Sequence, residues 1–322
     1  MADRTAATLH RWAVVTVLCT FGLIVAGALV TSRDAGLAVP DWPLSFGTIN
    51  PPRWYAIENV RTEHGHRLIA GCVALLTLAL GVRVWRSDTT SAVRRLSALA
   101  VFMVLLQALL GGLRVLHLSV DLAMVHGWLG QAFFCVVVSI ATLTSPRWTG
   151  SARRAELDTG KARAAAWLTA LLVSLIVTQL VVGLVIRHLG ESARPLLGNG
   201  LFYTHAGVAL VVAWAALRLR TVLHRDGVGP RERSRLERRA DTIAALVMAQ
   251  LALGFGTFVV TETMHYDRQA TVIEAWLPTL HVALGAALLG TAVSIALHAW
   301  AAHGAERSTL APAGHAQAAG AR

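Results

Sequence analysis

RLSALAVFMVLLQALLGGLRVLHLSVDLAMVHGWLGQAFFCVVVSIATL, from Arg95 to Leu143, is two apolar runs, 95–115 and 122–143, with a few residues between them. About 20 apolar residues in helical form cross a bilayer core, and both runs reach that length. Backbone groups in lipid must bond within their own segment, so each run reads as a helix. The period-2 alternation of a membrane barrel is absent. The first run ends in small and polar residues, Gln107, Gly111, Gly112 and Arg114, and the second carries His126 near its start. The stretch is therefore a transmembrane helical hairpin with an imidazole near one end.

Working outward, further runs lie at 12–31, 66–86, 164–186, 202–222, 240–261 and 278–300, which makes eight spans. The chain of 322 residues is 55% hydrophobic and 15% charged, with mean hydropathy +0.56. A soluble domain has about 25% charged residues, so the composition describes an all-α membrane protein. Trp12, Trp85, Trp148, Trp167, Trp276 and Trp300 fall near run ends, where amphipathic rings prefer the interface. The hairpin recurs. Gln179, Gly183 and Arg187 precede His205; Gln250, Gly254 and Gly256 precede His281; Gly22 and Gly27 precede His66. Four copies imply two pseudo-repeated four-helix bundles. Small residues there allow close helix approach or leave room for a flat ligand. The resulting division is a cytoplasmic N-terminus 1–11, a first half 12–145 with an outer loop 32–65, a linker 146–163, a second half 164–302 and a disordered cytoplasmic tail 303–322.

Of the 29 Lys and Arg, 21 fall in the N-terminus, the even-to-odd loops and the C-terminus, against 8 in the other loops. The positive-inside rule then places both termini in the cytoplasm. The net charge of +11 is read as this topology signal. No soluble basic domain exists to bind nucleic acid. The basic run 231–239 reads as a solvated extension of the seventh span. The first run, about 19 residues, exceeds the 7–15 of a signal-peptide core. Cys19, Cys72 and Cys135 lie inside apolar runs and form no C-x-x-C pair, which removes support for zinc, iron–sulfur or covalent c-type haem. The long outer loop, rich in Pro and Trp, suits a cap over the outer face.

His66, His126, His205 and His281 stand out among the thirteen histidines. Each lies near the outer end of an even span, so all four share a depth. Ionisable residues inside a membrane default to function. Imidazole suits haem iron, which takes two axial ligands. Pairing within each half, His66 with His126 and His205 with His281, makes each bundle one pocket. Zinc and di-iron centres want carboxylates or thiolates clustered with the histidines, and only Glu63 is so placed. Glu63 and His66 are i, i+3. For Glu63 two readings stand: a proton-relaying carboxylate beside a haem edge, and a helix-start acid favoured by the dipole. Arg67, Arg114 and Arg187 suit haem propionates, and equally suit interfacial snorkelling.

At these residues the chain resembles the haem A synthase family. The loop GLAVPDWPLSFG, Gly36 to Gly47, is similar to that family's first outer loop, and Glu63-His64-Gly65-His66-Arg67 to its E-x-x-H-R entry to the second helix. His126, His205 and His281 match its other ligands, and the resemblance covers about residues 10–302. It implies oxidation of the C8 methyl of haem O to a formyl group by successive hydroxylations, giving haem A. His66 and His126 would bind the substrate haem beside a catalytic Glu63, and His205 and His281 would ligate a haem b. It also implies a bacterial plasma membrane, a haem O synthase (a prenyltransferase) upstream, an unnamed electron donor, and room for a homo-oligomer. The family's outer-loop cysteines are missing, with Ser45 where one is expected. A di-haem b-type electron carrier also explains four histidines, but not the lone Glu63 cluster. A transporter would show midplane charges, and a membrane prenyltransferase Asp-rich magnesium motifs; neither is found.

Overall fold

The computed structural model describes residues 2–149, 159–197, 200–224, 234–263 and 269–310. Its elements are α1 (Ala2–Ser32), α2 (Glu58–Trp85), α3 (Ser91–Leu116), α4 (Val120–Leu143), the short α5 (Pro146–Thr149), α6 (Thr159–Leu197), α7 (Gly200–Leu223), α8 (Arg235–Thr263) and α9 (Val272–Leu310). All but α5 are long and apolar enough to cross a membrane, giving the eight expected spans. Among the described residues there is no strand, only an isolated bridge between Ser45 and Thr48.

Several boundaries differ from expectation. α2 starts at Glu58 rather than 66, so Glu63 and His64 are helical and the outer loop shortens to 33–57. α1 takes in the stretch expected as an N-terminal segment, and α6 continues past 186 to Leu197. α9 starts before Pro278 because Thr271 and Glu274 form a capping box: Thr271 N donates to Glu274 Oε2 at 2.6 Å and Glu274 N to Thr271 Oγ1 at 3.4 Å. It then runs to Leu310, so the first part of the expected disordered tail is helical, and 311–322 lie outside the described residues. Most of the linker, 150–158, and residues 231–233 of the basic run also lie outside them. The rest of that run opens α8 as an extension, started by a second capping box between Ser234 and Glu237.

α1, α2, α3 and α4 pack as a closed ring, each on the next and α4 back on α1. α6, α7, α8 and α9 repeat that order. The rings meet through α1 and α4 on one side and α6 and α9 on the other. These neighbour relations are consistent with a repeat of two four-helix units. Each ring has its own apolar core. The first includes Val73, Leu80, Val84, Phe133, Val137 and Ile140, all C-terminal to the histidine on their helix. The second uses Ala165, Ala166, Ala215, Ala216, Ala240 and Ala292 around Leu172, Leu219 and Ile243. Lipid offers no hydrophobic drive between helices, so such alanines act by letting backbones approach and gain dispersion. Both cores fill one end of the rings and leave the other end to the histidines.

Candidate haem site

Each of the four histidines rests against a glycine of the preceding spanning helix. A Cβ built on Gly27 would lie 3.1 Å from Cε1 of His66; on Gly111, 3.2 Å from His126; on Gly183, 3.0 Å from His205; on Gly254, 3.0 Å from His281. The glycines thus make room for imidazole rings. The Nδ1 atoms of all four rings are buried without a hydrogen-bond partner. With Nδ1 shut in, Nε2 is the nitrogen left to bind a metal, and at His281 that atom lies 3.3 Å from Gln250 Nε2, a contact a bound metal would replace. Glutamines one turn before three of these glycines hold the histidine backbone. Gln107 Nε2 donates to His126 O at 3.1 Å, Gln179 Nε2 to His205 O at 2.8 Å and Gln250 Nε2 to His281 O at 3.0 Å.

The rings of His205 and His281 meet edge-on, with centres 6.3 Å apart and planes at 61°. Two imidazoles sharing an iron about 2 Å from each nitrogen have centres roughly 6 Å apart, so this pair fits haem. His66 and His126 lie in the first ring, each seated against the glycine of the helix before it. Among the described residues no three His, Cys, Asp or Glu side chains converge on one point. Paired imidazoles with no third protein ligand suit a macrocycle that supplies the remaining donors.

Among the described residues, only the first ring carries a folded cap. Glu63 is buried at 3% exposure. Its Oε2 accepts from Val39 N at 2.9 Å and its Oε1 from Arg67 Nη2 at 2.6 Å. Arg67 also donates to the carbonyls of Asp41 at 2.6 Å, Leu44 at 3.1 Å and Val39 at 2.9 Å. Arg114 donates to Gly36 O at 2.6 Å, and Trp42 packs on Gly112 so closely that a Cβ there would meet the indole. His64, buried, pairs through Nδ1 with Ser45 Oγ at 2.9 Å and sits edge-on to Trp54. Inside the loop, Asp41 accepts from Phe46 N and Gly47 N, each at 2.7 Å. The Gly47 bond foremost, with Phe46 and the charge of Arg67, holds the Asp41 carboxyl below its ordinary value of 3.8 against the cost of desolvation. Arg33 pairs with Glu58 at the start of α2.

Arg187 leaves its own ring. Its Nη2 donates to Ala28 O at 2.8 Å and Ser32 Oγ at 2.6 Å on α1, and Ser32 Oγ lies 3.0 Å from Thr279 Oγ1 on α9. Sequence reading put Glu63 beside His66, and the structure places both on α2. It gave Arg67, Arg114 and Arg187 two readings, propionate partner and interfacial snorkelling; here Arg67 and Arg114 bond the loop and Arg187 bonds α1 of the other ring. It gave no role to Val39 or Trp54, whose partners Glu63 and His64 lie on α2, or to Asp41, and it marked Ser45 only as the place of an expected cysteine; the repeated glutamines also got no role although their spacing was visible.

Residues 10–193 match the COX15-CtaA family, described as cytochrome oxidase assembly protein. The chain is 32% identical over 262 residues to a protein named Heme A synthase from Symbiobacterium thermophilum, covering 72% of this chain and 79% of that one. The chain belongs to this family. A Heme A synthase of Shouchella clausii is 33% identical over 141 residues, 42% of this chain and 45% of the relative, so that match spans under half of the relative's length. A Natronomonas pharaonis protein named Protoheme IX farnesyltransferase 1 is 34% identical over 123 residues, 38% of this chain and 25% of its own length. The family match covers the whole capped ring and α6 as far as its histidine-seating glycine and Arg187.

Proposed function

We propose that this protein is a haem A synthase, a membrane oxidoreductase that converts the C8 methyl of haem O to a formyl group. The observation that carries this is the inequality of two similar rings: both seat a histidine pair, and among the described residues only the first closes a loop over it through Glu63 and Arg67. That inequality suits one substrate pocket and one resident haem. His66 and His126 hold haem O in the first ring, and His205 and His281 hold a haem b in the second. When bound, the haems supply redox chemistry that no side chain here has. The chain's own residues do the rest. The glycine seats orient the imidazoles, the cap keeps water from the reacting methyl, and Glu63, one turn from His66, stands where protons released by the oxidation must leave.

Both termini face the cytoplasm, on the charge asymmetry of the loops, so the histidines lie toward the outer face. Haem O comes from a prenyltransferase that works beside this protein. The farnesyltransferase relative, with a segment similar to this chain, supports that pairing.

The test is to express the chain in a host that makes haem O and no haem A, then extract and separate the haems. Haem A is expected, and haem O alone with the protein intact in the membrane overturns the reading. Glu63→Ala is expected to keep bound haem, seen in a reduced-minus-oxidised spectrum, and to lose product. Unchanged turnover removes Glu63 from catalysis.

A further inference from the structure

Three of the four histidines are pinned and one is not. Gln107, Gln179 and Gln250 each sit one turn before a seat glycine and donate to the backbone carbonyl of the histidine seated there. In α1 the seat is Gly27, and the residue one turn earlier is Leu23, a half-buried side chain packed on the first core. Leucine has no donor, and among the described residues no side chain donates to the carbonyl of His66. What holds His66 instead lies on either side of it in α2. Glu63 takes the Val39 amide, and Arg67 takes the carbonyls of Val39, Asp41 and Leu44. The helix-to-helix tie found at the other three histidines is replaced at His66 by a tie to the outer loop.

We propose that His66 is the exchangeable axial ligand of the first ring and that the outer loop governs its release, while His126, His205 and His281 are fixed. A buried amide that joins two helices at the depth of a ligand must break before that ligand's helix can shift against its neighbour. His66 carries no such restraint. Its backbone moves when the loop moves, so opening the cap and freeing a coordination position on iron become one event. The ring that must admit a substrate and expose its iron is the ring with the releasable histidine. The ring proposed to keep its haem has both ligands pinned. The inference deepens the function proposed above and rests on its assignment of haem to both histidine pairs.

The test uses carbon monoxide, which binds ferrous haem only where an axial ligand gives way, on purified full-length protein saturated with haemin and reduced. In the unchanged protein the first-ring haem is expected to take up carbon monoxide and the second not to. The double change His205→Ala and His281→Ala, which removes the second ring's ligands, assigns the signal. Leu23→Gln, which supplies the missing donor, is expected to slow uptake roughly tenfold, the equivalent of one buried interhelical hydrogen bond. Gln250→Leu is expected to make the second-ring haem reactive. Uptake confined to the second ring, or uptake unmoved by both Leu23→Gln and Gln250→Leu, overturns the inference. Should Leu23→Gln fail to fold, Gln250→Leu alone decides: an inert second haem counts against it. The readout is ligation and not product, so a failure to make haem A leaves this result standing. A first ring that takes up no haem overturns the bis-histidine assignment and this inference with it.

Discussion

The histidines were legible because an imidazole inside an apolar run is costly and the same cost recurs at four equivalent places. What each glycine does was not legible, since close helix approach and space for a flat ligand both call for a small residue. The structure resolves this in favour of the ring seat, with a would-be Cβ at Gly254 only 3.0 Å from Cε1 of His281. Gly254→Ala is therefore expected to displace His281 and abolish the low-spin bis-imidazole signal of the second ring while the first ring keeps its own. Paramagnetic resonance of the oxidised protein reads this directly. Gly22, with open space around a built Cβ, is the control: Gly22→Ala should leave both signals intact. At Arg67, truncation to alanine strips the buried Glu63 of its charged partner, and leaving a charge unpaired in a buried site costs about 3–5 kcal/mol. Thermal unfolding of Arg67→Ala should show a loss of this order. Adding Glu63→Gln should recover part of it, because the two changes share one interaction.

The eight spanning elements follow from hydropathy alone, since nothing but a helix satisfies that much backbone in lipid. Their ends do not. α2 begins at Glu58 because its polar first turns, which read as loop, find partners in Arg33, Val39 and the cap. The cap itself is held by bonds between residues some 20 to 80 positions apart, such as Arg114 with Gly36, and no local pattern encodes those. Within it Asp41 orders the turn through two backbone amides, which gives the loop a defined acid response. Its carboxyl is held below the ordinary 3.8, so its contribution is fully present above that value and is lost as the pH falls through the lower folded value. Cleavage of the loop by an acid-active protease should stay flat from neutral pH down to the ordinary carboxylate range and rise only below it. Asp41→Asn, which keeps one acceptor and loses the charge, should raise cleavage at neutral pH and remove this acid step.

At the scale of the molecule, two rings that each carry their own histidine pair must still stay in register if, as proposed, electrons are to pass between them. The apolar contacts of α1 and α4 with α6 and α9 are non-directional and tolerate sliding. Polar ties do not: Thr142 Oγ1 on α4 donates to Ser294 Oγ on α9 at 3.2 Å, and one guanidinium nitrogen of Arg187 holds both Ala28 O and Ser32 Oγ, with Ser32 meeting Thr279 in turn. Arg187→Ala removes that tie and leaves all four histidines and their glycine seats untouched. The expected result is a protein with the haem content of the parent, a stability loss of about 1–2 kcal/mol as for other buried interhelical polar contacts, and turnover depressed more than stability accounts for. Arg187→Lys, a donor of the same charge on a shorter reach, should recover part of the turnover. The competing role, a propionate partner inside the second ring, makes a different forecast. Arg187→Ala would then lower the haem held by His205 and His281 and spare the first ring. Haem extracted per mole of protein, with the two rings distinguished by their low-spin signals, separates the roles: parental content in both rings with slowed turnover identifies a tie between the halves, and selective loss from the second ring identifies a local haem contact.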